Sequence, residues 1–335
     1  MFRTKFSGLL AGVVLCSGLA WGTQVAAHGY GDHPAAQQFI ANMAKEGFDE
    51  AEVKTILRSA ERQESILKAI SRPAEKRLNW GEYRNIFLRD ARIKQGVEFW
   101  HQYSAALQRA EKEYGVPAHI IVAIIGVETR YGRNMGSYRV IDALSTLGFD
   151  YPPRGKFFQG QLKEYFYLLR EEKADPFALK GSYAGAMGYG QFIPSSFRSF
   201  AVDFDGDGKK DIWNNPVDAI GSVANYFSAH GWKKGEAVRS NVVMQQMADE
   251  AWINSSLKPE VTLAEWAERG IRTRKDLNLD SKATLMRLEK DGEFQHWFGL
   301  HNFYVITRYN HSRLYAMAVY ELGQAVAEKH KANAG

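Results

Sequence analysis

Val116-Pro117-Ala118-His119-Ile120-Ile121-Val122-Ala123-Ile124-Ile125-Gly126-Val127-Glu128-Thr129-Arg130-Tyr131-Gly132 is an almost wholly apolar run closed by a small polar cluster. Its proline suits the first turn of a helix, where a missing N–H loses no bond. The run is too short to span a membrane and long enough for a buried core helix. Gly132 reads as the helix stop. Just before that stop stands Glu128. Desolvation by the core and the negative end of the helix dipole both disfavour its charged form. Such a carboxyl can hold a proton near neutral pH and still give it away. The competing reading is an ion pair with Arg130 or Arg133 at a helix end, and from this stretch alone the two stand level.

The chain has 335 residues, enough for one large or two to three small domains with a sizeable core. It opens with basic Met1-Phe2-Arg3-Thr4-Lys5, an apolar segment from Phe6 to about Trp21, and Thr23-Gln24-Val25-Ala26-Ala27. That order predicts a secretory signal over 1–27, removed near Ala27. Cys16 is the single cysteine and follows Leu15, where a lipoprotein signal wants a small residue, so a lipid anchor at Cys16 fits poorly. Cleavage after Ala27 leaves no cysteine, so stability must come from the core and not from disulfides. Losing Arg3 and Lys5 leaves 41 basic against 38 acidic side chains, a net charge of +3. That balance argues against nucleic acid as a partner and suits a polymer met by hydrogen bonds and stacking. Aromatic residues, at 13%, are numerous enough to line a cleft or pack on sugar faces.

Residues 28–115 read as helical, including a helix opening at Asp49-Glu50 and a long one from about Asp90 to Tyr114. The long helix carries Ile93, Val97, Trp100, Tyr103 and Leu107 on one face, a stripe that marks core. Tyr83 falls outside that stripe. Residues 116–235 hold the opening stretch, a short helix from Arg139 with Gly148 as its stop, and a helix over Phe157 to Glu172. Then comes the small-residue loop Ser182-Tyr183-Ala184-Gly185-Ala186-Met187-Gly188-Tyr189-Gly190-Gln191-Phe192-Ile193-Pro194-Ser195, whose glycines admit a close backbone approach. Residues 236–300 read as a small β-containing insertion. It has a strand over Val238 to Met244, a capping box at Thr262-Leu263-Ala264-Glu265 and a hairpin turn at Lys290-Asp291-Gly292. Residues 301–335 return to the core, with Ser312 capping a last helix.

Asp203-Phe204-Asp205-Gly206-Asp207-Gly208-Lys209 places oxygens at positions 1, 3 and 5 and glycine at 6, as an EF-hand loop begins. The twelfth position is Asn214, so Asp211 or Asp218 must complete the shell. Three aspartates in this phase repel one another without a cation, which favours a calcium ion over a solvated acidic turn. In an exported protein its affinity is expected to be weak and its role that of a brace.

Together, the Gly126–Gly132 stretch, the Ser182 loop, the aspartate loop and Asn302-Phe303-Tyr304-Val305-Ile306-Thr307-Arg308-Tyr309-Asn310 resemble the lytic murein transglycosylase B family. The resemblance implies an exported, periplasmic enzyme, mainly α (α+β), with a lysozyme-like catalytic core. It implies cleavage of the β-1,4 bond between N-acetylmuramic acid and N-acetylglucosamine in peptidoglycan, leaving 1,6-anhydromuramoyl ends. Glu128 then acts as acid and afterwards as base. Tyr83, Ser182, Gln191, Tyr226, Tyr309, Asn310 and Tyr315 match positions that line the sugar cleft. For Tyr226 and Tyr315, on helical patterns, a purely core role competes. Asp203, Asp205, Asp207, the Lys209 carbonyl and Asp218 match the calcium ligands, although the segment from Lys209 to Asp218 is one residue longer than the family pattern. The expected partners are glycan strands and other cell-wall enzymes, with no organic cofactor and a monomeric chain. A hydrolytic muramidase and a non-catalytic wall-binding protein are the alternatives.

Overall fold

The computed structural model describes residues 29–71 and 78–334, so the signal expected over 1–27 and Cys16 lie outside the described residues. Three helices come first: α1 (Pro34–Lys45), α2 (Glu50–Arg58) and α3 (Glu64–Ile70). Four more lead up to and include the apolar run: α4 (Trp80–Phe87), α5 (Asp90–Gln102), α6 (Ser104–Tyr114) and α7 (Ala118–Thr129). The strand β1 (Tyr138–Arg139), α8 (Val140–Asp150), α9 (Gly155–Glu172), the strand β2 (Lys180–Gly181), α10 (Pro194–Phe200) and α11 (Pro216–Ala229) follow. A sheet segment holds β3 (Arg239–Met244), β4 (Val261–Thr262), α12 (Leu263–Glu268), β5 (Ile271–Thr273), β6 (Lys282–Lys290) and β7 (Glu293–Gly299). Helices α13 (His301–Tyr309) and α14 (Arg313–Ala334) close the chain. The mainly helical expectation holds.

α7 is apolar on every side because it is covered on every side, by α5, α6, α11 and α14. Each of its fully buried isoleucines contributes about 1.5–3 kcal/mol of burial free energy. The α5–α7 segment shares this core with α11, α13, α14 and one face of the sheet. By contrast, α1–α3 share a second core with α8–α10. Residues 28–115 are therefore divided between two cores. The sheet, ordered β4-β6-β7-β3-β5 and antiparallel throughout, closes a third cluster with α12.

The Asp291-Gly292 turn between β6 and β7 has both residues at positive φ, 54° and 81°, as a tight two-residue hairpin requires. Its tip rests on Gly81 of α4, 3.5 Å from where a Cβ would stand. The sheet thus braces the helix that carries Tyr83. Among the described residues no helix is long and apolar enough to cross a membrane.

Three expectations change. The long helix over Asp90 to Tyr114 is two helices, because Tyr103 leaves helical geometry (φ −114°, ψ 27°) and turns its ring onto Phe99. The stripe survives the break, with α5 packed on α14 and α6 on α11. Gly148 is not a stop but lies inside α8, where its carbonyl accepts the Gln159 amide of α9 at 2.8 Å. Finally, α7 ends at Thr129, three residues before Gly132.

Candidate active site

What ends α7 also builds the site. Arg130, Tyr131 and Gly132 are all left-handed, with φ of 52°, 60° and 83°. Such a run in two non-glycine residues persists only where surroundings impose it. Here Tyr131 folds back beneath α7, into a space left by two glycines. A Cβ on Gly126 would lie 2.6 Å from its hydroxyl oxygen, and one on Gly96 would lie 2.5 Å away. Gly132 leaves room for the Tyr189 ring, which a Cβ would meet at 2.2 Å. Thr129, fully buried, locks the turn to the next loop: its Oγ1 accepts the Gly132 N–H at 3.0 Å and donates to the Tyr189 carbonyl at 2.9 Å.

This geometry leaves Glu128 at the last turn of α7, facing tyrosines. Tyr315 of α14, buried, donates to its Oε1 at 2.5 Å. The side chain keeps a solvent-facing edge, yet protein surrounds its carboxyl. That desolvation pushes the pKa up to about 7, with the Tyr315 bond pulling the other way. The ion pair with Arg130 or Arg133 does not form. Arg130 donates instead to Gln95 at 2.9 Å, and among the described residues Glu128 has no salt bridge. Burial and the Glu128 charge raise the pKa values of Tyr83, Tyr309 and Tyr315, so all three phenols stay neutral donors beside the acid. Among the described residues no carboxylate shifts Glu128.

The other expected residues fall into two sorts. Tyr309, at the end of α13, packs against both large cores and donates to the Gly190 carbonyl at 2.5 Å. Tyr226 is buried, donates to the Arg308 carbonyl at 2.6 Å and lies 4.7 Å from the Tyr309 ring. Its hydroxyl thus holds the α13 end that presents Tyr309. Gln191, itself left-handed at φ 51°, donates its amide nitrogen to the Gly188 and Met135 carbonyls at 3.0 and 3.2 Å. Its amide oxygen is the group it can offer a ligand. Ser182 Oγ accepts N–H bonds from Ala184 and Ala186, which leaves its hydroxyl proton to donate outward. Asn310 is exposed just beyond α13. Thr129 and the pairing of Gly126 with Tyr131 were not singled out in the sequence. The signal available there was the placing of glycines around bulky aromatics in both motifs.

In the aspartate loop, single carboxylate oxygens of Asp203, Asp205 and Asp218 lie within 4.8 Å of one another. Asp218 is fully buried and accepts N–H bonds from Phe204 at 2.7 Å and Asp211 at 2.9 Å, which fixes it toward the loop despite the longer spacing. Burial raises its pKa against these bonds. Desolvation works on Asp203 too, but N–H bonds from Gly208, Gly206 and Asp207 outweigh it and hold its carboxyl below the ordinary range. Asp211 instead caps its own turn, accepting from the Trp213 and Asn214 N–H groups. Asp207 stands outside the three-carboxylate group and accepts from the Lys209 N–H. A set of hard oxygens around one point, one of them buried, fits a calcium ion.

Residues 31–324 match the family model described as the transglycosylase SLT domain. The chain belongs to this family. It is therefore a lytic transglycosylase, an enzyme that cleaves glycosidic bonds. As an SLT-domain protein it has well-described relatives. It is 46% identical over 308 residues to the membrane-bound lytic murein transglycosylase B of Escherichia coli K12, covering 89% of this chain and 84% of that one. The solved structure of catenated SltB1 from Pseudomonas aeruginosa superposes with a TM-score of 0.87 at 53% identity, over 90% of this chain and 99% of that one. Slt35 of Escherichia coli, solved in complex with calcium, gives 0.81 at 46%, over 92% and 98%. SltB3 from Pseudomonas aeruginosa, solved in complex with NAG-anhNAM-pentapeptide, gives 0.77 at 30%, over 87% and 78%. These neighbours agree with the lysozyme-like expectation for the fold.

Proposed function

We propose that this enzyme cleaves the β-1,4 bond between N-acetylmuramic acid and N-acetylglucosamine in peptidoglycan and closes the muramoyl end as a 1,6-anhydro ring. The observation that carries the reading is the raised carboxyl of Glu128, held by Tyr315 and flanked by phenols, with no second carboxylate among the described residues shifting it. Glycosidases that use water pair two carboxylates about 5–9.5 Å apart. With one, the sugar's own 6-hydroxyl can serve as the nucleophile. Protonated Glu128 gives its proton to the glycosidic oxygen as the bond to the anomeric carbon breaks. The carboxylate then takes the proton of the 6-hydroxyl as that oxygen bonds to the same carbon. Glu128 ends protonated and no water is consumed. A pKa of about 7 suits both halves of this cycle. Tyr83, Ser182, Gln191, Tyr309 and Asn310 are the side chains we assign to the sugars, and Tyr315 holds the acid. The murein named for the Escherichia coli relative and the anhydro sugar bound by SltB3 support the same reading. Mass spectrometry of digested peptidoglycan tests it. Anhydro ends are one water lighter than reducing ends, and reducing ends throughout would make the protein a muramidase.

Tyr315→Phe removes a donor that favours the charged form of Glu128, so the acid's pKa rises. The alkaline limb of the rate profile is expected to move to higher pH. A limb that stays put would free Tyr315 of this role.

For the aspartate loop we infer a calcium site held by Asp203, Asp205 and Asp218, with Asp207 and the Lys209 carbonyl beside them. The ion serves as a brace, and the calcium complex of Slt35 supports the choice of metal. With an affinity on the order of 0.1–1 mM, 10 mM calcium stabilises the fold by about 1–3 kcal/mol. A melting temperature raised by a few degrees is the expected result. One indifferent to calcium and chelator would remove the ion. We assign the enzyme to the periplasm on the secretory signal read over 1–27; the Escherichia coli relative is named membrane-bound.

A further inference from the structure

Arg313 is the first residue of α14 and stands two positions before Tyr315. It is half-buried, and among the described residues no carboxylate acts on its guanidinium, so burial alone lowers its pKa. Its partner is backbone: Nη2 donates to the Asn254 carbonyl, while Nε is buried with no partner among the described residues. Asn254 is itself fastened to β6. It is left-handed, with φ of 56°, and its N–H donates to the Leu285 carbonyl at 2.9 Å. Its side chain clamps the backbone of Arg287, accepting the N–H at 3.1 Å and donating to the carbonyl at 2.9 Å. The guanidinium therefore ties the start of α14 to the sheet. Tyr315 follows within the same turn, its N–H on Ser312 Oγ at 3.3 Å and its hydroxyl on Glu128. The sheet meets the site at a second point, through the hairpin tip on Gly81 of α4, and Arg84 of α4 donates to Glu321 of α14 at 2.8 Å.

We propose that Arg313 is a positioning residue: by fixing the start of α14 to the sheet, it holds Tyr315 against Glu128. The inference rests on Glu128 being the acid, as read above, and gives the small sheet a part in the reaction. The charge of Arg313 does not supply that part directly, because it is not among the groups that shift Glu128. The titratable groups around that carboxyl are Tyr83 of α4, Tyr309 of α13 and Tyr315 of α14. Arg92 of α5 donates to the Gly126 carbonyl, and Arg130 to Gln95.

The titration of Glu128, read without substrate, tests the proposal. Carbon-13 NMR follows the carboxyl, assigned by the signal that Glu128→Gln removes. A hydrogen bond to a charged group is worth about one to two pH units, and Arg313→Met, which loosens that bond, is expected to raise the midpoint by roughly half a unit. Asn254→Gly suits the left-handed backbone, changes no charge and is expected to raise it too. Arg313→Lys keeps a donor and leaves the midpoint in place. In the Tyr315→Phe background, Arg313→Met is expected to add nothing. A midpoint that Arg313→Met or Asn254→Gly leaves at the parent value would overturn the proposal. So would an equal rise in the Tyr315→Phe background, which would mark a lost cation and not a loosened phenol. Product analysis judges the cleavage reading separately, since the titration involves no turnover.

Discussion

Glu128→Gln loses turnover by roughly 10²–10⁴-fold, the usual contribution of a general acid–base, and at pH 8 melts higher than the wild type. The second half follows from the first residue's burial. An unburied glutamate titrates at 4.5 and Glu128 at about 7 in the folded chain. Below 4.5 both states hold the proton and the residue is neutral to stability. As pH climbs from 4.5 past 7 the unfolded chain ionises first, so folding loses about 3 kcal/mol by the end of that window. Glutamine never ionises and still accepts the Tyr315 hydroxyl, so it escapes that loss. The expected gain at pH 8 is roughly 5–10 °C, vanishing at pH 4. Calorimetric scans at the two pH values check it, alongside the product assay. Retained turnover would depose Glu128 as the acid. Lost turnover with identical melting at pH 8 would mean that its carboxyl is well solvated.

Gly126→Ala sets two effects against each other. Alanine improves helix propensity by about 1 kcal/mol, so a helical peptide would gain. In this fold the new methyl meets the Tyr131 ring, with its hydroxyl oxygen, Cζ and Cε1 at 2.6, 2.7 and 2.8 Å. Both sides are buried and neither is a flexible tip, so Tyr131 must leave its seat. Overpacking of this kind costs about 1–3 kcal/mol, and the displaced ring adds lost burial. Packing therefore wins. We expect a net loss of about 2–4 kcal/mol by denaturant unfolding. Activity is expected to fall further than stability explains, because the left-handed turn that holds Glu128 is built on Tyr131. A variant as stable and active as the parent would show that the turn does not need that seat.

Both results bear on what the sequence could reveal. Local signals read well: α7 from its apolar run, the β6–β7 hairpin from Asp291-Gly292, and α12 from its capping box, which forms as expected. Glu128 could be singled out because its awkwardness is local, an acid at the end of an apolar helix. Features set by distant partners stayed hidden. The end of α7 at Thr129 depends on Gly96, a residue of α5. Gly148 looked like a stop because its true partner, Gln159, comes from the next helix. The break at Tyr103 left the hydrophobic period intact, so periodicity could not register it. At the site, the chemistry of Tyr315 is a contact made across 187 positions. Nothing near either residue announces it.

That separation has a consequence for timing. A growing chain carries its acid early, yet the phenol that holds it and the Tyr309 clamp on Gly190 arrive only with α13 and α14. Until those last helices fold back, Glu128 sits in an unfinished pocket. A chain cut short before α13 would therefore keep its carboxyl and lose the two tyrosines that hold and wall it.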